Sequence, residues 1–406
     1  MRDRPVRALT GNVAAMRVLM LSWDFPPRSV GGAAAHVDGL SRALGRAGHD
    51  VVVLTPGHPG AISDSSLGSV RVVRAYAELP WIPDDDVVAH AASADHHLVQ
   101  LTTAFGSWTP EVVHAHDWQV SWAASTLAAI HDVPLVTTFH GTTRGRHGGS
   151  IPQGTPSTIH AVESWIAHTS NHVIASSTFM AREVISGFEI PPERVHKVPN
   201  GIDPTWWSAG EHPAGRRPLV LTWGRVQYEK GFQVLARAMS TVRSRVPDIE
   251  CIIAGRGSYL PELQSQIDIE GVSDIVRLVG FVPDVKLRDT IHRAGCVVIP
   301  SLYEPFGIVA LETLAGGAPL IAARTGGLAE LLDGTGAGLL FEPGNADELA
   351  TCIDMVLSDH RLADEMRTRG AALLGARYSW TAIANATAGI YAGATPAETD
   401  AALTPE

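Results

Sequence analysis

Arg225 and Lys230 stand close together in Gly224-Arg-Val-Gln-Tyr-Glu-Lys-Gly231, directly after the apolar run Leu219–Trp223. Two cations in one loop at the end of a strand are poorly explained by packing. A diphosphate explains them, since guanidinium and ammonium both bind phosphate oxygens. The plainer alternative is a solvated charged turn. The segment is not a P-loop, because the Lys-Ser/Thr pair and its glycine spacing are missing. Two carboxylates follow in Ser301-Leu-Tyr-Glu-Pro-Phe-Gly-Ile-Val-Ala-Leu-Glu312. Pro305 is expected in the first turn of a helix, with Gly307 leaving the backbone open there. Glu304 is then a loop residue and Glu312 lies one or two turns in. Carboxylates accept hydrogen bonds well from the paired hydroxyls of a sugar or ribose. The competing reading is a capping carboxylate and an exposed glutamate.

Two further segments carry chemistry. Asp24-Phe-Pro-Pro-Arg-Ser-Val-Gly-Gly-Ala33 lies between a strand and a helix. Gly31 and Gly32 let backbone approach a ligand, and a helix N-terminus behind them offers N–H groups to an anion. This is not the G-x-G-x-x-G fingerprint, so a nicotinamide cofactor is disfavoured. Thr137-Thr-Phe-His140 and Val113-His-Ala-His-Asp-Trp118 place His140, His114, His116 and Asp117 at strand ends. Their spacing matches no common zinc pattern, and a strand-end histidine reads as a hydrogen-bonded core residue. The run Asp84-Asp-Asp86 reads as a solvated acidic turn rather than a metal site. No metal is therefore expected.

Repeating strand and helix patterns must position these residues. Strands are expected at Arg17–Ser22, Asp50–Thr55, Val112–Ala115, Pro134–Phe139 and His172–Ala175, with a helix at His36–Ala47 carrying Val37, Leu40 and Leu44 on one face. A second series has strands at Leu219–Trp223, Ile249–Ala254, Val276–Val279, Cys296–Pro300 and Pro319–Ala322, and a helix at Phe232–Met239. Alternation of this kind means parallel sheets covered on both faces. The turn-rich Pro199-Asn-Gly-Ile-Asp-Pro204 marks the junction. The fold class is α/β, two doubly wound domains, with ligands at the carboxyl ends of the strands and a cleft between domains as the natural site. The expected domains are residues 16–198, completed by a C-terminal helix at 378–392, and 199–377, with flexible tails at 1–15 and 393–406.

The 406 residues suit two domains. A net charge of −11 argues against a broad nucleic-acid surface. Cys251, Cys296 and Cys352 are too few and scattered for a disulfide framework and read as reduced core thiols of a cytoplasmic protein. No run reaches the roughly 18 apolar residues of a spanning helix. Arg2, Arg4 and Arg7 precede only a short apolar run, so the N-terminus reads as a loose tail rather than a signal peptide.

In order and spacing, these segments resemble the family 4 glycosyltransferases, retaining enzymes of the two-domain GT-B fold. The resemblance runs from Arg17 to about Ala392. It rests on Gly31-Gly32, His114-Ala-His-Asp117, Phe139-His140, Asn200-Gly-Ile-Asp203, Gly224-Arg225 with Lys230, and Gly255-Arg-Gly257. It continues through Glu304-Pro-Phe-Gly307 with Glu312, Gly326-Gly327 and Gly338-Leu-Leu-Phe-Glu-Pro-Gly344. The resemblance implies roles. His140, Arg225, Lys230 and Glu304 form the catalytic set: Arg225 and Lys230 hold the donor diphosphate, Glu304 contacts the transferred sugar and His140 lies beside it. Gly32, Gly307, Ile308, Val309, Glu312 and Val282 bind the donor, Glu312 through its ribose and Val282, within Val276–Pro283, against the base. Asp117 and Gly31 lie on the acceptor side. The family needs no metal and no cofactor. Two cations and two helix N-termini, about half a charge each, match a leaving diphosphate of about −3. Front-face substitution, with the leaving phosphate taking the acceptor proton, is the mechanism the resemblance implies.

Ser22-Trp-Asp-Phe-Pro-Pro27, the His-Ala-His-Asp-Trp118 box and Ala161-Val-Glu-Ser-Trp165 resemble bacterial members that transfer glucose from uridine or adenosine diphosphate donors to α-glucans. Asp24 stands where that subgroup more often has Glu, and Ala33-Ala-Ala35 replaces its Gly-Leu-Gly. Acceptor identity therefore stays open between an α-glucan, a small molecule and a lipid-linked sugar, with membrane contact at most peripheral. Trp81, Trp108, Trp118, Trp165, Trp206 and Trp207 are candidate sugar-stacking residues or ordinary core and rim aromatics. A sugar-nucleotide epimerase, a glucan phosphorylase and a non-catalytic sugar-nucleotide binder stand as alternatives. A homodimer is left open.

Overall fold

The computed structural model describes residues 14–27, 31–57, 64–75, 79, 81–210, 217–375 and 377–394. Arg2, Arg4, Arg7 and the residues Arg28–Val30 of the first glycine loop lie outside the described residues, as do the terminal residues beyond 394. The chain divides into two compact units. One holds the chain up to Ser176, Ala181–Pro199 and the residues from Trp380 on; the other holds Ser177–Met180 and Asn200–Ser379.

In the first unit the strands are β1 (Arg17–Ser22), β2 (Asp50–Pro56), β3 (Asp64–Leu67), β4 (Val70–Ala75), β5 (Val112–His116), β6 (Leu135–Phe139), β7 (His172–Ala175) and β8 (Val195–Lys197). They form one sheet in the order β3-β4-β2-β1-β5-β6-β7-β8. All neighbours are parallel except β3 and β4. The inner strands bury almost every side chain, which is why they read as mostly apolar runs, with His114, His116, Thr137 and Thr138 buried among them. β3 did not stand out in the sequence because Asp-Ser-Ser-Leu at an exposed edge carries no such run.

The second unit has β9 (Leu219–Trp223), β10 (Glu250–Ala254), β11 (Val276–Gly280), β12 (Cys296–Ile299), β13 (Leu320–Ala323) and β14 (Gly338–Phe341). Their order is β11-β10-β9-β12-β13-β14, all parallel. The chain winds outward from β9 to β11, then crosses back to β12 and winds the other way. The direction changes between β9 and β12, the point at which sheets wound in this way leave a crevice at the strands' carboxyl ends. In the first unit the same change lies between β1 and β5. Cores cover both faces of the second sheet, one built on Leu235, Met239 and Ile353, the other on Ile291, Leu311 and Leu331. The three cysteines are free and buried, and burial pushes the Cys296 thiol up to about 12.

Several helix boundaries differ from the sequence reading; helix Phe232–Arg243, for example, runs about one turn past Met239. The first helix spans Gly32–Arg46 rather than starting at His36, because Gly31 (φ 88°) turns the chain and the three alanines after Gly32 propagate a helix readily. The helix after β12 begins at Ile308, since Gly307 (φ 98°) cannot be helical; Pro305 therefore precedes the helix instead of filling its first turn. The last helix runs Trp380–Gly393 and packs on helix Gly32–Arg46. Gly39 permits this approach: a Cβ there would lie 2.1 Å from the Trp380 ring. The Tyr391 hydroxyl meets His114 Nδ1 at 2.6 Å, and Thr138 Oγ1 meets its Nε2 at 2.7 Å, so His114 is a satisfied core residue.

Asp84 and Asp85 are exposed, and Asp86 caps helix Val87–Leu101 by accepting from the Ala89 N–H. Within that helix Asp95 is buried, and its Oδ2 accepts from the N–H groups of Trp122 and Ala123 at 3.0 and 3.1 Å. Burial pushes its carboxyl up to about 8 despite those bonds. A carboxyl whose folded pKa is raised stabilises the fold while protonated and loses that contribution as pH rises through the folded value. Buried histidines with lowered pKa are neutral in both states above about 7, and the buried thiols, which ionise on unfolding as pH nears 9, are common to both proteins, so the difference between wild type and an Asp95→Asn variant over pH 7.5 to 9 reports Asp95. The wild type should lose melting temperature over that range. Asp95→Asn should flatten the slope and melt higher at pH 9, as read by heat denaturation in a pH series. Parallel slopes for the two proteins would refute the assignment.

Candidate active site

In the second unit the loops after β9 and β12 flank the crevice. The first carries Arg225 and Lys230, the second Glu304. They are joined by backbone bonds: the N–H groups of Leu302 and Tyr303 both donate to the Glu229 carbonyl, at 2.8 and 3.2 Å. The Lys230 ammonium donates to Glu304 Oε2 at 2.7 Å, and the Ser301 hydroxyl donates to the same oxygen at 3.2 Å. Glu304 is 9% exposed. One of the three ammonium N–H groups is thus spent on Glu304, which leaves two for an anion. Glu304 Oε1 remains for a hydroxyl. The Gly327 N–H donates to the Glu304 carbonyl at 2.9 Å, so Gly326-Gly327 fixes the loop from behind.

The loop of Arg225 is braced by the loop after β10. The Val226 N–H donates to the Arg256 carbonyl at 2.9 Å, and the Tyr259 N–H donates to the Val226 carbonyl at 3.1 Å. Gly257 is required there, since a Cβ would lie 2.0 Å from the Val226 carbonyl oxygen. Ile308 and Val309 open helix Ile308–Ala315, so their N–H groups have no partner within the helix. Glu312, in the second turn, has Oε2 bound by the Trp223 indole N–H at 3.0 Å. Burial pushes its carboxyl up to about 7, against the pull of Trp223. Val282 is half-buried beyond β11, beside exposed Phe281. The second unit therefore joins Lys230 to Glu304 and Trp223 to Glu312, with Arg225 in the loop after β9 and Gly307, Ile308 and Val309 at the start of the helix after β12.

The first unit assembles a separate cluster. His140 follows β6, and its N–H donates to Asp117 Oδ1 at 2.7 Å. Asp117 follows β5 with φ 62°, and its own N–H donates to the Thr138 carbonyl. His116 Nδ1 and His140 Nε2 are 3.2 Å apart, and the His36 ring lies edge-on to His140 at 4.9 Å. One nitrogen from each of His36, His116 and His140 lies within 4.8 Å of the others, a spacing that could hold a metal ion. Sequence spacing could not show this, because His36 comes from the first helix; its place on the buried face with Val37, Leu40 and Leu44 was the available signal. Burial pushes His140 down to about 4, helped by the nearby Arg146, and holds His114 and His116 well below the usual histidine range. All three rings are neutral at physiological pH. Gly31 and Gly32 stand at the start of the first helix, at the crevice between β1 and β5.

Sequence reasoning missed Glu163, which is buried and accepts from the Thr143 N–H and hydroxyl, both at 3.0 Å, and so anchors the loop after His140. It also missed Trp223, whose only signal was an aromatic residue directly before Gly224-Arg225. Of the candidate stacking tryptophans, Trp118 and Trp207 are core residues, Trp108 donates to Asp50 and Trp206 stacks on Arg288. Trp81 and Trp165 are the exposed ones, at 74% and 40%.

Among families, "Glycosyltransferase Family 4" matches residues 30–206 and "Glycosyl transferases group 1" matches residues 207–372. A glycogen synthase of Mycobacterium tuberculosis is 36% identical, over 93% of this chain and 95% of its own length. An alpha-maltose-1-phosphate synthase of the same organism is 30% identical, over 93% and 99%. Among solved structures, a sucrose-phosphate synthase from Thermosynechococcus elongatus superposes with a TM-score of 0.80 at 23% identity, over 93% of this chain and 98% of that one. No helix among the described residues is long and apolar enough to cross a membrane.

Proposed function

The chain belongs to glycosyltransferase family 4, and on that premise we propose that it moves glucose from a nucleoside diphosphate donor to a hydroxyl of a carbohydrate acceptor, an α-glucan, in the cytoplasm. The observation that carries the reading is the Lys230–Glu304 contact of 2.7 Å where the second sheet changes winding direction. It puts a phosphate-binding cation and a hydroxyl-binding carboxylate side by side, as the two halves of a sugar nucleotide require.

The reaction is retaining. The bond from the anomeric carbon to the phosphate oxygen breaks, and the bond to the acceptor oxygen forms on the same face. The acceptor proton passes to the leaving phosphate oxygen. Charge growing on that phosphate is met by Arg225, Lys230 and the N–H groups at Gly307, Ile308 and Val309, fixed donors of the kind that stabilise a developing anion. This set needs no metal ion. Glu304 orients the sugar through Oε1, and Glu312 accepts from the ribose. The neutral His140 ring gives a hydrogen bond beside the sugar and adds no cation there. Gly32 approaches the phosphates, Val282 lines the base, and Asp117 and Gly31 serve the acceptor side.

The test is a thermal-shift panel of UDP, ADP and GDP and their glucose conjugates in EDTA, followed by transfer to malto-oligosaccharides. One base should raise the melting temperature selectively, because a ligand that binds only the folded state stabilises it. Transfer should persist in EDTA. A folded protein that responds to no nucleotide would refute the donor site. Activity lost in EDTA and restored by magnesium would refute the metal-free reaction.

A further inference from the structure

Trp223 closes β9, paired with Ala254 of β10, while Glu312 comes from the helix after β12. The two side chains meet at 3.0 Å across the strands that bound the crevice. Packing alone does not call for an indole N–H aimed at a carboxylate. An indole is a donor only, so it takes one carboxylate oxygen and cannot compete for the other. A glutamate in a helix otherwise turns freely about its last bond.

We propose that Trp223 is a positioning residue for the donor: by holding Glu312 Oε2 it fixes the carboxylate plane and leaves Oε1 to accept from the ribose hydroxyls. The inference rests on the reading of Glu312 as the ribose acceptor. Electrostatics point the same way. Burial and the neighbouring Asp284, on helix Asp284–Arg293, push the Glu312 carboxyl up, and the Trp223 bond pulls it down. Removing the N–H therefore loses orientation and also raises the protonated fraction near pH 7.

Calorimetric titration with UDP and ADP, and with their 2′,3′-dideoxy forms, tests this. Trp223→Phe should weaken the better ribonucleotide roughly tenfold at pH 7, the scale of one hydrogen bond to a charged group. The deficit should shrink at pH 9, where Glu312 is ionised with or without Trp223. Binding of the dideoxy nucleotide should not change, and Trp223→Phe added to Glu312→Gln should cost nothing more. Equal weakening of both nucleotide forms, or none, would overturn the proposal. Benzothienylalanine at position 223 keeps the ring shape without the N–H and gives the same readout if the phenylalanine variant unfolds. A wild type that binds no nucleotide refutes the donor site itself. One that binds ribo and dideoxy forms equally refutes the ribose role of Glu312 and with it that of Trp223, while the donor site stands.

Discussion

Lys230→Ala is expected to abolish sugar transfer, with kcat/KM falling by about three orders of magnitude or more, the scale seen when a preorganised charge on a developing anion is removed. The Lys230 and Glu304 side chains are 19% and 11% exposed, so solvent screens this pair little. The variant should also be less stable by about 1–3 kcal/mol, because Glu304 is left in a crevice without its cation. Lys230→Ala with Glu304→Ala separates the two effects. It should recover most of the stability and none of the activity. Steady-state kinetics and nucleotide titration on the single variant check the role. Transfer that survives with unchanged donor affinity would remove the diphosphate assignment.

Gly231→Ala is the second large effect, and it acts through backbone. Gly231 has φ +68° and caps helix Phe232–Arg243, directly after Lys230. A Cβ there would lie 1.9 Å from the Pro300 carbonyl oxygen and 2.8 Å from its carbon, and neither can move without shifting the end of β12. The strained φ costs about 1 kcal/mol. The collision should add at least another 2–3 kcal/mol, in the range of severe core substitutions. Gly271→Ala is the control in the same unit. Its φ is +66°, but nothing lies within 4 Å of the added Cβ. Denaturant unfolding of the two variants should therefore differ by the collision alone. Gly231→Ala should also lose donor affinity, because the loops holding Lys230 and Glu304 are forced apart. Equal stability of the two variants would show that the close approach to Pro300 is not maintained.

The local elements were legible because each signal is local. Arg17–Ser22, His172–Ala175 and Leu219–Trp223 are short, mostly apolar runs buried along most of their length, and the sequence marks their limits to the residue. Boundaries set by a glycine's backbone angle were harder. A φ of 98° at Gly307 moved a helix start from Pro305 to Ile308, and composition alone does not reveal the angle. The edge strand Asp64–Leu67 carries too little apolar pattern to stand out, and Arg71 and Arg74 interrupt that of Val70–Ala75.

By itself the sequence determined the alternation of strand and helix and the motifs that tie the chain to its family. It also placed Arg225, Lys230, Glu304, His140 and Asp117 at strand ends, because side-chain type and spacing along the chain carry that information. Tertiary structure alone decided which of these residues meet. The Lys230–Glu304 pair spans 74 positions and the Trp223–Glu312 bond spans 89. Strand order, with β9 beside β12, brings them together, and no local pattern encodes that order. The gathering of His36 with His116 and His140, and the lowered pKa values of His116 and His140, follow in the same way from burial at the meeting of three elements. Desolvation depends on everything packed around a group, and so exists only once the chain has folded.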